Sequence, residues 1–311
     1  MPTLTILSRD AAQYQSHIEH SKITDLTVFA FEKPEQLNAQ SYNAEVLLAD
    51  PGLVIDELDK FEQLRWMQST WAGNAPLLKH RKNDYKLTGI KGVFGDYMRE
   101  FVFSYLLYFS RNIESFNKNQ ADKSWQAPTF HQLKGKTLGI LGVGSIGSSV
   151  AETAKHFGMR VIGMARTPKA VANIDKIYTP AQKLSLAQEV DYVVSLLPET
   201  PDTKHLIDKA FIENLSPSAV VINAGRGSVI DDNALVDALR EKRLKAAVLD
   251  VFEQEPLSKE HPYWSLENAF VTCHTAAISY PKDICEIFYQ NYQRFVKSEP
   301  LMYELSFERG Y

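Results

Sequence analysis

Two groups of residues in this chain have the types and spacing to do chemistry together. The first is Gly142-Val143-Gly144-Ser145-Ile146-Gly147, entered from Thr137-Leu138-Gly139-Ile140-Leu141 and followed by Ser148-Ser149-Val150-Ala151-Glu152-Thr153-Ala154. The short apolar run reads as a buried parallel strand and the residues after the glycines as a helix. Strand, Gly-x-Gly-x-x-Gly and helix together are the context in which this pattern signals dinucleotide binding. Gly142 permits the tight turn, Gly144 admits a pyrophosphate to bare backbone, and Gly147 lets helix and strand pack closely. The first-turn N–H groups, at Ser145, Ile146 and Gly147, then face the anion with the positive end of the helix dipole.

The second group is Arg226, Glu255 and His274. Arg226 follows Val220-Val221-Ile222, Glu255 lies past Ala246–Leu249 within Asp250-Val251-Phe252-Glu253-Gln254-Glu255-Pro256, and His274 closes Val271-Thr272-Cys273. All three are expected at the carboxyl edge of one parallel sheet, where ligands of such sheets bind. Hydride transfer to a 2-oxo acid needs these types. A planar guanidinium binds the substrate carboxylate through paired hydrogen bonds, which lysine cannot supply. An imidazole near neutral pH can give a proton to the developing alkoxide. A carboxylate against the ring fixes its tautomer and favours its protonated form. An arginine after a strand is usually a surface ion-pair residue and a lone histidine is more often structural. The coincidence of all three downstream of a nucleotide turn points to catalysis.

The elements that must position them are those of two successive α/β units. Apolar runs at Thr3–Leu7, Leu26–Ala30, Ala44–Ala49 and Leu64–Gln68 alternate with helical stretches, predicting a parallel sheet covered by helices. A long helix is predicted over Gly95–Asn112, with Phe101, Tyr105 and Tyr108 on one face and Val102, Leu106 and Phe109 beside them. So much apolar surface suggests burial between domains or subunits. A polar connector with Trp125 and Pro128 leads to a second series of six strands: Thr137–Leu141, Arg160–Met164, Tyr192–Leu196, Ala219–Ile222, Ala246–Leu249 and Phe270–Thr272. The final helix, Pro281–Val296, is expected to return to the first domain. The predicted organisation is a discontinuous substrate domain, residues 1–98 and 281–311, and a dinucleotide-binding domain, residues 99–280.

At 311 residues, 44% hydrophobic and 23% charged, the chain can build two cores, and a net charge of −4 gives no electrostatic footprint for nucleic acid or anionic membrane. No apolar run reaches the length of a membrane span, and the start lacks a signal-peptide apolar region. The two cysteines, Cys273 and Cys285, have no metal-ligand spacing, so free thiols, a cytoplasmic location and no metal are expected.

Leu138–Gly147, Asn223-Ala224-Gly225-Arg226-Gly227, Leu249–Pro256 and Cys273-His274-Thr275-Ala276 together resemble the ordered signatures of the D-isomer-specific 2-hydroxyacid dehydrogenases. Leu196-Leu197-Pro198-Glu199-Thr200-Pro201-Asp202-Thr203 resembles that family's cofactor-facing loop. The resemblance covers nearly the whole chain. It implies two doubly wound parallel-sheet domains, a Rossmann dinucleotide-binding domain and a flavodoxin-like substrate domain, with a cleft between them. It implies Arg226 as carboxylate anchor, His274 as proton donor and Glu255 as its partner. Leu197, Pro198, Thr203 and Ala224 are implied beside the cofactor, Asp250 near the nicotinamide amide, and the N–H groups of Ala72 and Gly73 on the substrate carboxylate. A two-fold homodimer built around the Gly95–Asn112 region is implied as well. Gly95-Asp96-Tyr97-Met98-Arg99-Glu100 and the ending Arg309-Gly310-Tyr311 are similar to the glyoxylate/hydroxypyruvate reductase branch. Two departures flank the substrate: Asn74-Ala75 where the family commonly has Val-Asp, and Cys273 in place of a proline.

Cofactor choice is read from the end of the second strand of the nucleotide series. An NAD enzyme usually has Asp or Glu there for the ribose 2′-hydroxyl. Here Arg160–Met164 runs into Ala165-Arg166-Thr167. Arg166 can pair with a 2′-phosphate, Thr167 can add a hydrogen bond and Lys169 can add charge, so NADPH is expected over NADH. The expected function is reduction of a small 2-oxo acid of the glyoxylate or hydroxypyruvate type to the D-2-hydroxy acid. An NAD-linked hydroxyacid or phosphoglycerate dehydrogenase and a non-catalytic dinucleotide sensor are the alternatives.

Overall fold

The computed structural model describes residues 2–21, 23, 25–167 and 169–308; the Arg309-Gly310-Tyr311 ending lies outside them. The chain divides into two compact units, Met1–Val93 with Ser279–Tyr311, and Phe94–Ile278. The borders fall a few residues before those predicted. Gly95–Ser110 is one helix packed along the helix Ser145–His156, and a continuous helix cannot be divided at residue 98.

The first unit is a five-stranded parallel sheet of β1 (Thr3–Leu7), β2 (Thr27–Phe31), β3 (Val46–Ala49), β4 (Trp66–Ser69) and β5 (Lys86–Thr88), in the order β2-β1-β3-β4-β5. This is the flavodoxin-like order. β3 and β4 are buried along their whole length, as continuous apolar runs in a sheet covered on both faces require. One face packs against the helices Ala11–Glu19 and Pro281–Val296 through Leu4, Ile6, Trp66, Tyr14, Ile284 and Phe288. The Trp66 ring stacks on Phe288 with centroids 5.2 Å apart. A buried polar network joins the same elements. Trp66 Nε1 donates to Thr88 Oγ1 and Thr88 Oγ1 to Gln68 Oε1, each at 2.8 Å, and Asn291 Nδ2 donates to Gln68 Oε1 at 3.2 Å. The Gln68 amide nitrogen reaches the carbonyls of Ser69 and Gly89, both at 3.0 Å.

The second unit is a seven-stranded parallel sheet rather than six. Its strands are β6 (Thr137–Leu141), β7 (Arg160–Met164), β8 (Lys176–Tyr178), β9 (Tyr192–Ser195), β10 (Val220–Asn223), β11 (Ala246–Leu249) and β12 (Ala269–Val271). The order is β12-β11-β10-β9-β6-β7-β8. The strand direction of growth reverses between β6 and β9, which is where dinucleotides bind in this fold. The added strand β8 is a three-residue edge beginning with an exposed lysine, too short to show a period.

The aromatic helix ends at Ser110, and a second helix, Ile113–Ala121, occupies what was expected to be connector. Val102, Phe103, Leu106 and Phe109 enter the core of their own unit, and Tyr105, Tyr108 and Phe109 all set their rings edge-on to Phe270. Much of the surface expected to face another subunit is therefore covered within the chain.

Candidate active site

The glycine turn has the geometry its sequence demands. Gly142 has φ +101°, a left-handed conformation that L side chains rarely adopt. A Cβ on Gly147 would run into the Gly142 carbonyl, so helix and strand pack closely only with glycine there. A Cβ on Gly144, by contrast, would meet nothing within 4 Å. Bare backbone beside open space is what a phosphate needs. Gly144 is the N-cap of Ser145–His156 and no side chain caps that end, while Lys155 and His156 at the other end suit the dipole. These features fit a dinucleotide.

Across the switch point, the loop after β9 carries Leu197, Pro198 and Thr203. The Thr203 hydroxyl donates to the Pro198 carbonyl at 2.7 Å and accepts from the Thr200 N–H at 2.9 Å, closing the loop on itself. Arg166 and Thr167 are exposed just past β7, as is Lys169.

Arg226 lies three residues past β10 in a loop gripped on both sides. A Cβ on Gly225 would come within 2.7 Å of the Leu197 carbonyl oxygen, and one on Gly227 would lie inside the Phe252–Glu253 peptide. The backbones of the Leu197, Arg226 and Glu255 loops are thus in direct contact. Asn223, buried at the end of β10, donates from Nδ2 to the Arg226 carbonyl at 3.0 Å and accepts the Gly225 N–H at 3.3 Å. Ala224 donates its N–H to the Ser195 carbonyl at 3.1 Å. The Arg226 guanidinium is half-buried, and Nη1 donates to the Gly225 carbonyl at 2.6 Å. Asn223 was missed as a site residue. An Asn ending an apolar run before Ala-Gly is a turn signal that could have found it.

His274 and Glu255 are brought together. Nδ1 of the ring lies 2.8 Å from Glu255 Oε2, and Glu255 Oε1 accepts the Phe252 N–H at 2.9 Å. With Nδ1 engaged, Nε2 is the nitrogen left to meet a reacting oxygen. The His274 side chain is 52% exposed, so a small molecule can reach it. Its backbone has φ +56°, uncommon for a residue with a side chain. Asp250 holds that turn. The Asp250 carbonyl accepts the His274 N–H at 2.7 Å. Its carboxylate accepts the Thr272 hydroxyl at 2.6 Å and the N–H groups of Thr275 and Ala276 at 2.8 and 3.0 Å. Asp250, expected beside the nicotinamide amide, thus commits both oxygens to the turn that carries His274. Burial, and then the Asp250 charge, push the Tyr105 phenol above its ordinary range.

In the first unit, Ala72 and Gly73 follow β4, with Trp71 and Ala72 exposed. Neither the Ala72 nor the Gly73 N–H donates to a partner among the described residues. The described residues hold no cluster of three His, Cys, Asp or Glu side chains that could bind a metal. Cys273 is exposed and Cys285 is buried, its thiol pushed up to about 12 by burial.

A strand-turn-helix dinucleotide cradle, with an arginine, a histidine and its carboxylate partner past the neighbouring strands, defines an NAD(P)-dependent oxidoreductase. The chain belongs to the D-isomer specific 2-hydroxyacid dehydrogenase family, whose NAD binding domain model matches residues 103–276. It is 34% identical over 221 residues to a glyoxylate/hydroxypyruvate reductase A of Serratia proteamaculans (strain 568), covering 71% of this chain and 68% of that one. It is also similar to a solved family member from Aeromonas salmonicida subsp. salmonicida A449, with a TM-score of 0.94, 38% identity and coverage of 98% and 99% of the two chains. A family structure from Xanthobacter autotrophicus Py2, in complex with NADPH and MES, matches with a TM-score of 0.86, 26% identity and coverage of 100% and 99%.

Proposed function

We propose that the protein reduces small 2-oxo acids, glyoxylate and hydroxypyruvate among them, to D-2-hydroxy acids with NADPH. The observation that carries this reading is the 2.8 Å contact between His274 Nδ1 and Glu255. The Gly142–Gly147 turn, with the loops carrying Leu197, Pro198, Thr203 and Ala224, would hold the dinucleotide. Bound NADPH supplies the hydride that the substrate carbonyl carbon accepts. Arg226 binds the substrate carboxylate as a fork. The family resemblance also assigns the Ala72 and Gly73 N–H groups to the substrate carboxylate. His274 Nε2 gives its proton to the carbonyl oxygen as that oxygen becomes an alkoxide, and Glu255 holds the ring in place through Nδ1. The names of the Serratia and Xanthobacter relatives support the substrate class and the cofactor.

A panel of 2-oxo acids assayed with each cofactor tests the reading. NADPH should be preferred, because no acidic side chain stands at the end of β7 and Arg166 and Thr167 do. Arg166→Ala should raise KM for NADPH roughly tenfold while changing that for NADH much less, the scale of one charge-assisted hydrogen bond. Added salt should erode the preference. Equal KM and kcat for the two cofactors in the unmodified protein would show the assignment of Arg166 to be wrong.

We further infer a cytoplasmic homodimer. Among the described residues no helix is long and apolar enough to cross a membrane. Leu107, Ile113, Phe116, Trp125 and Phe130 are exposed along one stretch of chain, Trp125 completely. A closed isologous interface would cover them. Sedimentation at micromolar concentration should give twice the chain mass; a stable monomer contradicts the dimer.

A further inference from the structure

Asn74 stands where the chain departs from its family's common pattern, in the turn between β4 and the short helix Ala75–Leu78. It is only 6% exposed, and its side chain does not cap that helix. Instead Nδ2 donates to two successive backbone carbonyls, Trp71 at 3.1 Å and Ala72 at 3.3 Å. The Ser69 hydroxyl supports the first of these, donating to the Trp71 carbonyl at 3.1 Å. The Trp71–Ala72 and Ala72–Gly73 peptides are both trans. In a trans peptide the C=O and N–H bonds point in opposite directions across a rigid plane. The Trp71 carbonyl shares its plane with the Ala72 N–H, and the Ala72 carbonyl with the Gly73 N–H. Drawing both carbonyls onto one buried amide therefore turns both N–H groups away from it.

We propose that Asn74 is a positioning residue that presents the Ala72 and Gly73 N–H groups as a preformed pair for the substrate carboxylate. This rests on the proposed function, which assigns those N–H groups to that carboxylate. Asn74 Oδ1 is buried without a partner, so the amide is not there to satisfy itself. An apolar residue of similar size would remove that unsatisfied oxygen, and the feature it would also remove is the pair of donated hydrogen bonds.

The test is calorimetric titration of oxalate, a two-carbon dicarboxylate that cannot be reduced, into the NADPH complex at pH 8. Wild-type protein, Asn74→Leu and Asn74→Asp are compared, with steady-state kinetics on glyoxylate alongside. Oxalate should bind about tenfold more weakly to Asn74→Leu, the scale of two neutral hydrogen bonds that preorganise the pair. Asn74→Asp keeps the shape but turns an anionic acceptor toward two carbonyls, and should lose more. KM for glyoxylate should rise in parallel, with kcat and NADPH affinity changing far less, a split that general loosening would not produce. If Asn74→Leu loses its cooperative thermal transition, Asn74→Ala, which removes the same donor and adds no charge, carries the comparison. Unchanged oxalate affinity in a folded variant, or equal losses in KM and kcat, overturns the role of Asn74 alone. Failure of the wild-type protein to bind oxalate or reduce any 2-oxo acid instead overturns the parent reading, and this inference with it.

Discussion

Replacing His274 with glutamine should lower kcat for 2-oxo acid reduction by about 10²–10⁴-fold, the usual worth of a positioned general acid, with NADPH affinity nearly unchanged. Glutamine can still donate a hydrogen bond but has no proton to release at neutral pH. The companion variant is Glu255→Gln, which removes the negative charge and leaves one acceptor oxygen where the carboxylate offers two, one to the ring Nδ1–H at 2.8 Å and one to the Phe252 N–H at 2.9 Å. With the ring no longer held through Nδ1 by an anion, kcat for reduction should fall about tenfold, the scale of one charge-assisted hydrogen bond, while NADPH affinity holds. A kcat indifferent to Glu255→Gln would sink the pairing.

Arg226→Lys should reduce kcat/KM for glyoxylate by roughly tenfold to more than a hundredfold. The substitution keeps the charge and loses the fork, and each charge-assisted hydrogen bond is worth about 1.5–3 kcal/mol. The loop itself should survive. Asn223 holds the Arg226 carbonyl and the Gly225 N–H through the backbone, and the close contacts at Gly225 and Gly227 do not involve the arginine side chain. NADPH affinity should therefore stay close to that of the unmodified protein. Unaltered turnover in the lysine variant would rule out bidentate binding.

Central strands were legible from the sequence because their apolar runs are continuous. β6, β7 and β11 begin and end at the residues the pattern picks out, since strands buried on both faces have little polar alternation to blur their limits. The edge strands β5 and β8 were not legible. Three residues beginning with an exposed lysine carry no period, and only pairing with β4 and β7 makes them strands. In the site, the order of Arg226, Glu255 and His274 was readable as spacing after strands. The left-handed turn at His274 was not, because the groups that impose it belong to Asp250, 24 to 26 residues earlier in the chain. Asn74 was visible as a departure, but its effect depends on where two carbonyls point, which spacing does not encode.

The packing of Pro281–Val296 on the first sheet has a consequence for the chain as it leaves the ribosome. Residues 94–278 contain every strand and helix of the second unit, so that unit can close as soon as it is synthesised. The sheet begun by β1 cannot. Until the last helix emerges, Trp66 lacks the Phe288 ring and Gln68 lacks the Asn291 amide, leaving that sheet face only the helix Ala11–Glu19 as cover. Domains usually fold in the order they are made. Here the unit translated first must wait for the one translated second, and through that interval its half-covered sheet is the surface a nascent-chain chaperone would need to shield.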